Sequence, residues 1–321
     1  MAIDNTVDLF QKSINQQIEK MKNDGLSDHV IIEKLNSCDF ASIFVDISKK
    51  MAEDVVDYME IKMYENVMEQ RAITAEFLAR QEQKWGKCFV ASEAMYYVVL
   101  EIVENYVNYI AEETNEFEKE EIKYTFYAIR EIHGRACQQY LEILHLNRLG
   151  FADGAYARWR SMYELSVVAD FISKHGEVVA KAFIDSAVTN DRYDWAKTAE
   201  CFKTSNKRHI TFNDLQTSCD FATDDWKKQY DLANKVVHAS SQGTFNRLGK
   251  KDAQRITLVG HSDFGITTAA EHSAISLLII TNMFLCLYPY GDGAVAMQCI
   301  YEWINIIRKS YFKTKEEVFK D

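Results

Sequence analysis

One proline and twelve glycines are all the backbone punctuation that these 321 residues carry. A sheet-rich chain needs turn residues roughly every 8–12 positions, so such a sequence can fold only as long helices joined by short loops. The apolar pattern agrees. Phe40, Ile43, Phe44, Ile47, Met51, Val55, Met59, Met63 and Val67 recur at steps of mostly three and four, the period of a helix face. Hydrophobic residues make up 47% of the chain, enough for a sizeable core at this length. The expected fold is all-α: a multi-helix bundle with an N-terminal helical arm.

Taken in order, an amphipathic helix is expected over 5–22 and a short one over HVIIEKLN, with Ser27-Asp28 at its start. A long helix then runs from Phe40 to about Trp85, and another over 87–112. Trp85-Gly86-Lys87 is the one plausible boundary, dividing an arm (1–85) from a helical core (86–321). Glu113 to Lys123 is an acidic connector, expected to be solvated. Lys123–Arg148 is a helix rich in basic and polar residues. Asn147 to Lys174, apolar on nearly every side, is expected to be the axis of the core, with Gly176 ending it. Helices are expected over 178–187 and 192–202. A polar stretch with a short helix near Phe212–Cys219 leads to a helix from Asp224 through His238 to Ser241. Residues 242–265 are irregular. Helices over 267–288 and 293–311 and a charged tail close the chain.

The net charge of −11 gives the chain as a whole no attraction to nucleic acid, although a local basic pocket stays open. Seven dispersed cysteines with no Cys-x-x-Cys pair read as reduced thiols. The acidic start, MAIDNTVDLF, is unlike a secretory signal. The most apolar run, Ala274 to Tyr288, is short for a bilayer span and reads as a buried helix. A cytoplasmic protein without membrane contact is expected. Phosphate loops, dinucleotide fingerprints, zinc-hydrolase and serine-hydrolase motifs are missing from the sequence, and neither a metal nor a cofactor is expected.

What remains is a set of polar residues in unusual places. Tyr230, Asn234 and His238 stand at successive i, i+4 positions of one helix, a polar row that ordinary amphipathicity does not ask for. Arg160 and Glu164 share a face of the otherwise apolar axis helix, where charges must be satisfied internally or border a polar cavity. Their Arg-before-Glu order is the weaker one for an isolated helix. Arg158 stands beside them in sequence. Arg130 and His133, three apart, share a face of the preceding helix, with Arg135 nearby. Together these guanidiniums, the imidazole and the amide suit a phosphate, or a phosphodiester cleaved by acid–base chemistry. The plain alternative is a structural ion pair, a packed histidine and a solvated polar face. His261, His272, Arg208 and His209 are expected at the surface or in loops.

From about Ile129 to Tyr288 the chain resembles a bacterial helical family of unknown function. The resemblance rests on the turn at Gly150-Phe151, the Arg160-x-x-x-Glu164 helix, and the segment with Tyr230, Asn234, His238 and Ser240. A wider resemblance is to the HEPN superfamily of helical bundles, many of them metal-independent ribonucleases of toxin–antitoxin and phage-defence systems. Asn234 and His238 match the Asn-x-x-x-His half of that signature, whereas the arginine is missing: Asp, Leu and Ala occupy 231–233. The resemblance implies Asn234 and His238 as catalytic groups and a site shared in a homodimer; Arg160 or Arg130, from another helix, is then the candidate for the missing cation, with Glu164, Tyr230, Ser240, Arg130 and Arg158 as candidates to bind RNA or a nucleotide. Two other functions fit the residues: a non-catalytic interaction or regulatory module that meets a partner protein through its helices, and a binder of a small phosphorylated ligand.

Overall fold

The computed structural model describes residues 6–189, 192–203, 207–238, 240–250 and 257–319. Among them every regular element is a helix, so the fold is all-α, as the scarcity of turn residues requires. In order these are α1 (Thr6–Asn23), α2 (Asp28–Asn36), α3 (Phe40–Glu113), α4 (Glu116–Glu121), α5 (Lys123–Arg148), α6 (Ala152–Asp185), α7 (Glu200–Lys203), α8 (Phe212–Thr217), α9 (Asp224–Val237), α10 (Ser241–Phe245), α11 (Ile266–Leu285) and α12 (Gly293–Val318). The chain divides into two compact units, Met1–Ala75 and Glu76–Asp321, and α3 contributes to both.

In the first unit the ring of Phe10 meets Phe40 and Phe44, at 6.2 and 5.6 Å between centroids. Beyond that contact the unit has almost no interior. Ile31 is its one buried hydrophobic residue among those described. Along α3, Val56, Met59, Ile61, Met63, Tyr64 and Ile73 are each more than half exposed.

Nearly all of the core belongs to the second unit. Its axis is α6, packed against α5, α11 and α9, while α11 also lies on α5 and α12. Ala155, Trp159, Met162, Val167, Phe171 and Ile172 of α6 are wholly buried, which is what a helix apolar all round should do. Helix α11 is long and apolar enough to cross a membrane by length and composition. Its buried face, which includes Ala269, Ala274, Leu277 and Ile280, packs into this core. At Gly176 the chain takes φ 70°, a conformation that disfavours any side chain, and α6 kinks there. The next residue, Glu177, then reaches the start of α5 and accepts hydrogen bonds from the backbone N–H groups of Tyr124 and Thr125, both at 2.8 Å.

Several boundaries differ from those expected. Helix α3 runs straight through Gly86, because Trp85, Cys88 and Phe89 on either side are buried, and their burial outweighs the roughly 1 kcal/mol a helical glycine costs. The acidic connector contains α4, started by a capping box in which Asn115 and Glu118 bond each other's backbone. The expected helix over 192–202 is a 3₁₀ turn at Asp194–Thr198 followed by the short α7. Helix α9 stops at Val237. Residues 251–256, inside the segment expected to be irregular, lie outside the described residues.

Candidate functional site

Four of the residues singled out by spacing meet where α9 crosses α6. The Arg160 guanidinium donates from Nε to Asn234 Oδ1 and from Nη2 to the Tyr230 hydroxyl, 3.1 Å away. The same Nη2 is 2.8 Å from Glu164 Oε1. Tyr230 in turn donates its O–H to Glu164 Oε1 at 2.7 Å. Glu164 Oε2 faces a further cation, Arg192, at 3.3 Å. Donors and acceptors therefore match: three of the five guanidinium N–H groups are engaged, the phenol both gives and takes, and both carboxylate oxygens are used. The Arg160 and Glu164 side chains are 19% and 14% exposed, so the cluster is mostly withdrawn from water.

Aromatic packing holds this arrangement in place. Tyr230 lies against Tyr163 and Phe212, at 5.2 and 5.0 Å, and the Arg160 guanidinium sits over the Tyr230 ring at 5.2 Å. Behind it Trp159, Tyr163 and Trp226 form a connected stack. The Tyr156 hydroxyl ties α6 to α9 by donating to the backbone oxygen of Gln229 at 2.9 Å. Burial pushes the Tyr230 phenol well above its ordinary pKa, and its bond to Glu164 pushes the same way. Tyr193, next to Arg192, is pushed up to about 12, first by burial and then by the Glu164 charge. Both phenols are thereby held neutral, and Tyr230 acts as a donor.

The other expected members stand elsewhere. The polar row Tyr230–Asn234–His238 presumes that the helix continues, but α9 ends at Val237 and His238 has φ −88° and ψ 149°. The His238 N–H still bonds the Asn234 oxygen at 3.0 Å, and the extended ψ turns the chain away from the helix after it. His238 is exposed, and among the described residues its ring has no hydrogen-bond partner. Ser240 is the N-cap of α10, its hydroxyl accepting from the Gly243 N–H at 3.0 Å. Arg158 pairs with Glu142 of α5. Arg130 is exposed, 3.2 Å from the adjacent Glu131 and over the Tyr127 ring.

Arg130 and His133 do not share a face. His133 is buried, bonded to Thr281 Oγ1 at 3.1 Å, and burial pushes it down to about 4. His272, expected at the surface, lies among Trp159, Trp226 and Tyr156 and is likewise pushed down to about 4. His261 is half-buried between the rings of Phe77 and Phe151, its Nδ1 at 2.6 Å from the Leu149 oxygen. Arg208 and His209 are exposed, as expected. Spacing gives no hint of Arg192, which joins Glu164 from 28 residues away in sequence. No group of three or more candidate metal ligands occurs among the described residues.

Residues 126–234, about a third of the chain, match a family of unknown function (DUF5677). The matched segment holds Arg160, Glu164, Tyr230 and Asn234, the four residues that converge, and ends before His238 and Ser240. No curated protein and no solved structure matches the chain.

Proposed function

We propose that this chain is a non-catalytic helical interaction protein that associates with further copies of itself through the N-terminal part of α3. One observation carries the proposal: among the described residues of the first 75, a single hydrophobic side chain is buried while a long stretch of α3 exposes many. Helices are stabilised mainly by packing an apolar face, and soluble monomers rarely expose contiguous apolar patches beyond a few hundred Å². On one face of α3, Val45, Val56, Met59, Met63 and Val67, each about half exposed, present on the order of 500 Å², a substantial part of the ~800 Å² per partner in a standard interface. A second copy brings the same apolar side chains to the contact, as a closed symmetric dimer requires.

The Arg160 cluster supports the same proposal from the other side, because its charges are spent on one another. A ribonuclease of the HEPN kind needs a histidine facing a guanidinium across a cavity. The exposure of His238 and the engagement of Arg160 with Asn234 favour that function less. The seven unpaired cysteines suit a reducing compartment, and we place the protein in the cytoplasm on that ground.

The test is the solution mass of the full chain by light scattering, wild type against the double variant Met59→Lys/Met63→Lys. The wild type is expected as a dimer or larger and the variant at a smaller mass with unchanged helicity. A wild-type monomer at micromolar concentration contradicts the proposal.

A further inference from the structure

A groove of about 650 Å³ lies on the second unit between α3 and the first part of α12. It arises from a change in side-chain size along the two helices. Trp303 of α12 spans the gap, and its indole N–H donates to the Ala91 oxygen of α3 at 2.8 Å. Toward the start of α12 the facing side chains are shorter: Val98 on α3, and Ala294, Val295 and Cys299 on α12. They leave the space beside the indole unfilled and line it with apolar groups. Val295 is 65% exposed, a cost in water that a covering partner removes.

The charge beside the groove has a single sign. Residues 88–113 of α3 and 293–307 of α12 contain no Lys, Arg or His. They carry Glu101, Glu104 and Glu302, all exposed, and among the described residues none of these three has an ion-pair partner. Glu302 borders the groove and accepts from two neutral amides of its own helix, Gln298 at 2.8 Å and Asn305 at 3.4 Å. Glu101 stands about one turn beyond Val98 on α3. Carboxylates on other parts of this unit do find cations, as Glu271 does with Arg308 and Asp185 with Lys181.

We propose that this groove binds a basic amphipathic helix of a partner protein. An apolar trough beside unpaired carboxylates complements a helix whose apolar stripe is flanked by Lys or Arg. Residues 294–303 extend over about 14 Å of α12 at 1.5 Å per residue, room for apolar anchors at i, i+4 and i+7. The anchors fill the space beside Trp303, and the partner's cations meet Glu302 and Glu101. A second copy fits less well, because a two-fold pair sets one concave groove against another with like charges facing. The groove uses none of the α3 side chains proposed for self-association, so either proposal can fail without the other.

The test is fluorescence anisotropy of a labelled leucine–lysine peptide of about 18 residues, long enough to be helical, with its leucines on one face. It is titrated with the full chain in about 0.15 M salt. Saturable binding is expected with Kd of ~10 μM or tighter. A peptide of the same composition with its leucines scattered round the helix is expected to bind at least about tenfold more weakly, and one with Glu in place of Lys not to saturate. Val295→Lys/Glu302→Lys, at two exposed positions, is expected to weaken binding at least about tenfold, with circular dichroism checking that it is folded. Glu316→Lys, about 21 Å further along α12, is expected to leave Kd within about twofold. No saturable binding, equal binding of the scattered peptide, or equal effects of the two charge variants overturns the site. Binding lost in Met59→Lys/Met63→Lys but kept in the groove variant overturns it too. A smaller solution mass of the groove variant makes the occupant a second copy and overturns the partner.

Discussion

Replacing Arg160 with methionine keeps most of the side chain's length and removes its charge. Glu164 then loses the 2.8 Å contact to the guanidinium, Asn234 loses the donor to its Oδ1, and Tyr230 loses one to its hydroxyl. Breaking a fully buried pair costs about 3–5 kcal/mol. This one is 19% and 14% exposed, and Arg192 remains beside Glu164. The expected cost is therefore smaller, about 2–3 kcal/mol. For a unit of this size that lowers Tm by about 4–12 °C, readable by thermal melting in far-UV circular dichroism. The companion variant Arg160→Met/Glu164→Leu removes the stranded carboxylate and leaves an apolar contact beside Tyr230. It is expected to recover a large part of the loss. If Arg160→Met melts within about 1 °C of the wild type, or the double variant is no better than the single, the pair is not structural. Arg160 would then be available for chemistry.

Other consequences can be checked on the same protein. His133 and His272 are pushed by burial from 6.5 to about 4. Between those values the unfolded chain binds their protons and the folded chain does not, so their contribution is fully present above pH 6.5 and is lost as pH falls toward 4. Each accounts for about 3 kcal/mol over that window; urea midpoints that do not fall between pH 7 and pH 5 would contradict this. His238→Ala, at an exposed position, should leave Tm within about 1 °C and change no RNA-cleaving activity. A nuclease activity that His238→Ala abolishes would restore the HEPN reading. Asn115→Ala removes the capping box of α4 and should cost about 1 kcal/mol with the rest of the fold intact, measured by chemical denaturation.

How much of this the sequence discloses varies with the kind of claim. The fold class follows from the lack of proline and glycine, because a sheet-rich chain needs them for its many turns, and the apolar girdle of α6 by itself marks that helix as the axis. The Arg160–Glu164 pair is legible because charge on an apolar face demands a partner. The partners themselves are only half legible. Tyr230 and Asn234 share a face by spacing, but Arg192 comes from a separate segment and no periodicity links it to Glu164. Spacing does not show that His238, as the C-cap of α9, is exposed and apart from the cluster, nor that the chain beyond it turns so that Ser240 caps α10. Pairing His133 with Arg130 by their spacing misplaces the histidine. The stripe Ile129, Ile132, Ala136 and Tyr140, all buried, passes through position 133 and is the stronger signal.

The claim that matters most is that the exposed face of α3 is covered by another copy of the chain. Amide hydrogen exchange across residues 45–73, measured at several protein concentrations, tests it most directly. Protection of those amides should rise with concentration and fall on dilution, while the amides of α6 stay protected throughout. Exchange in 45–73 that is identical at every concentration would contradict the account.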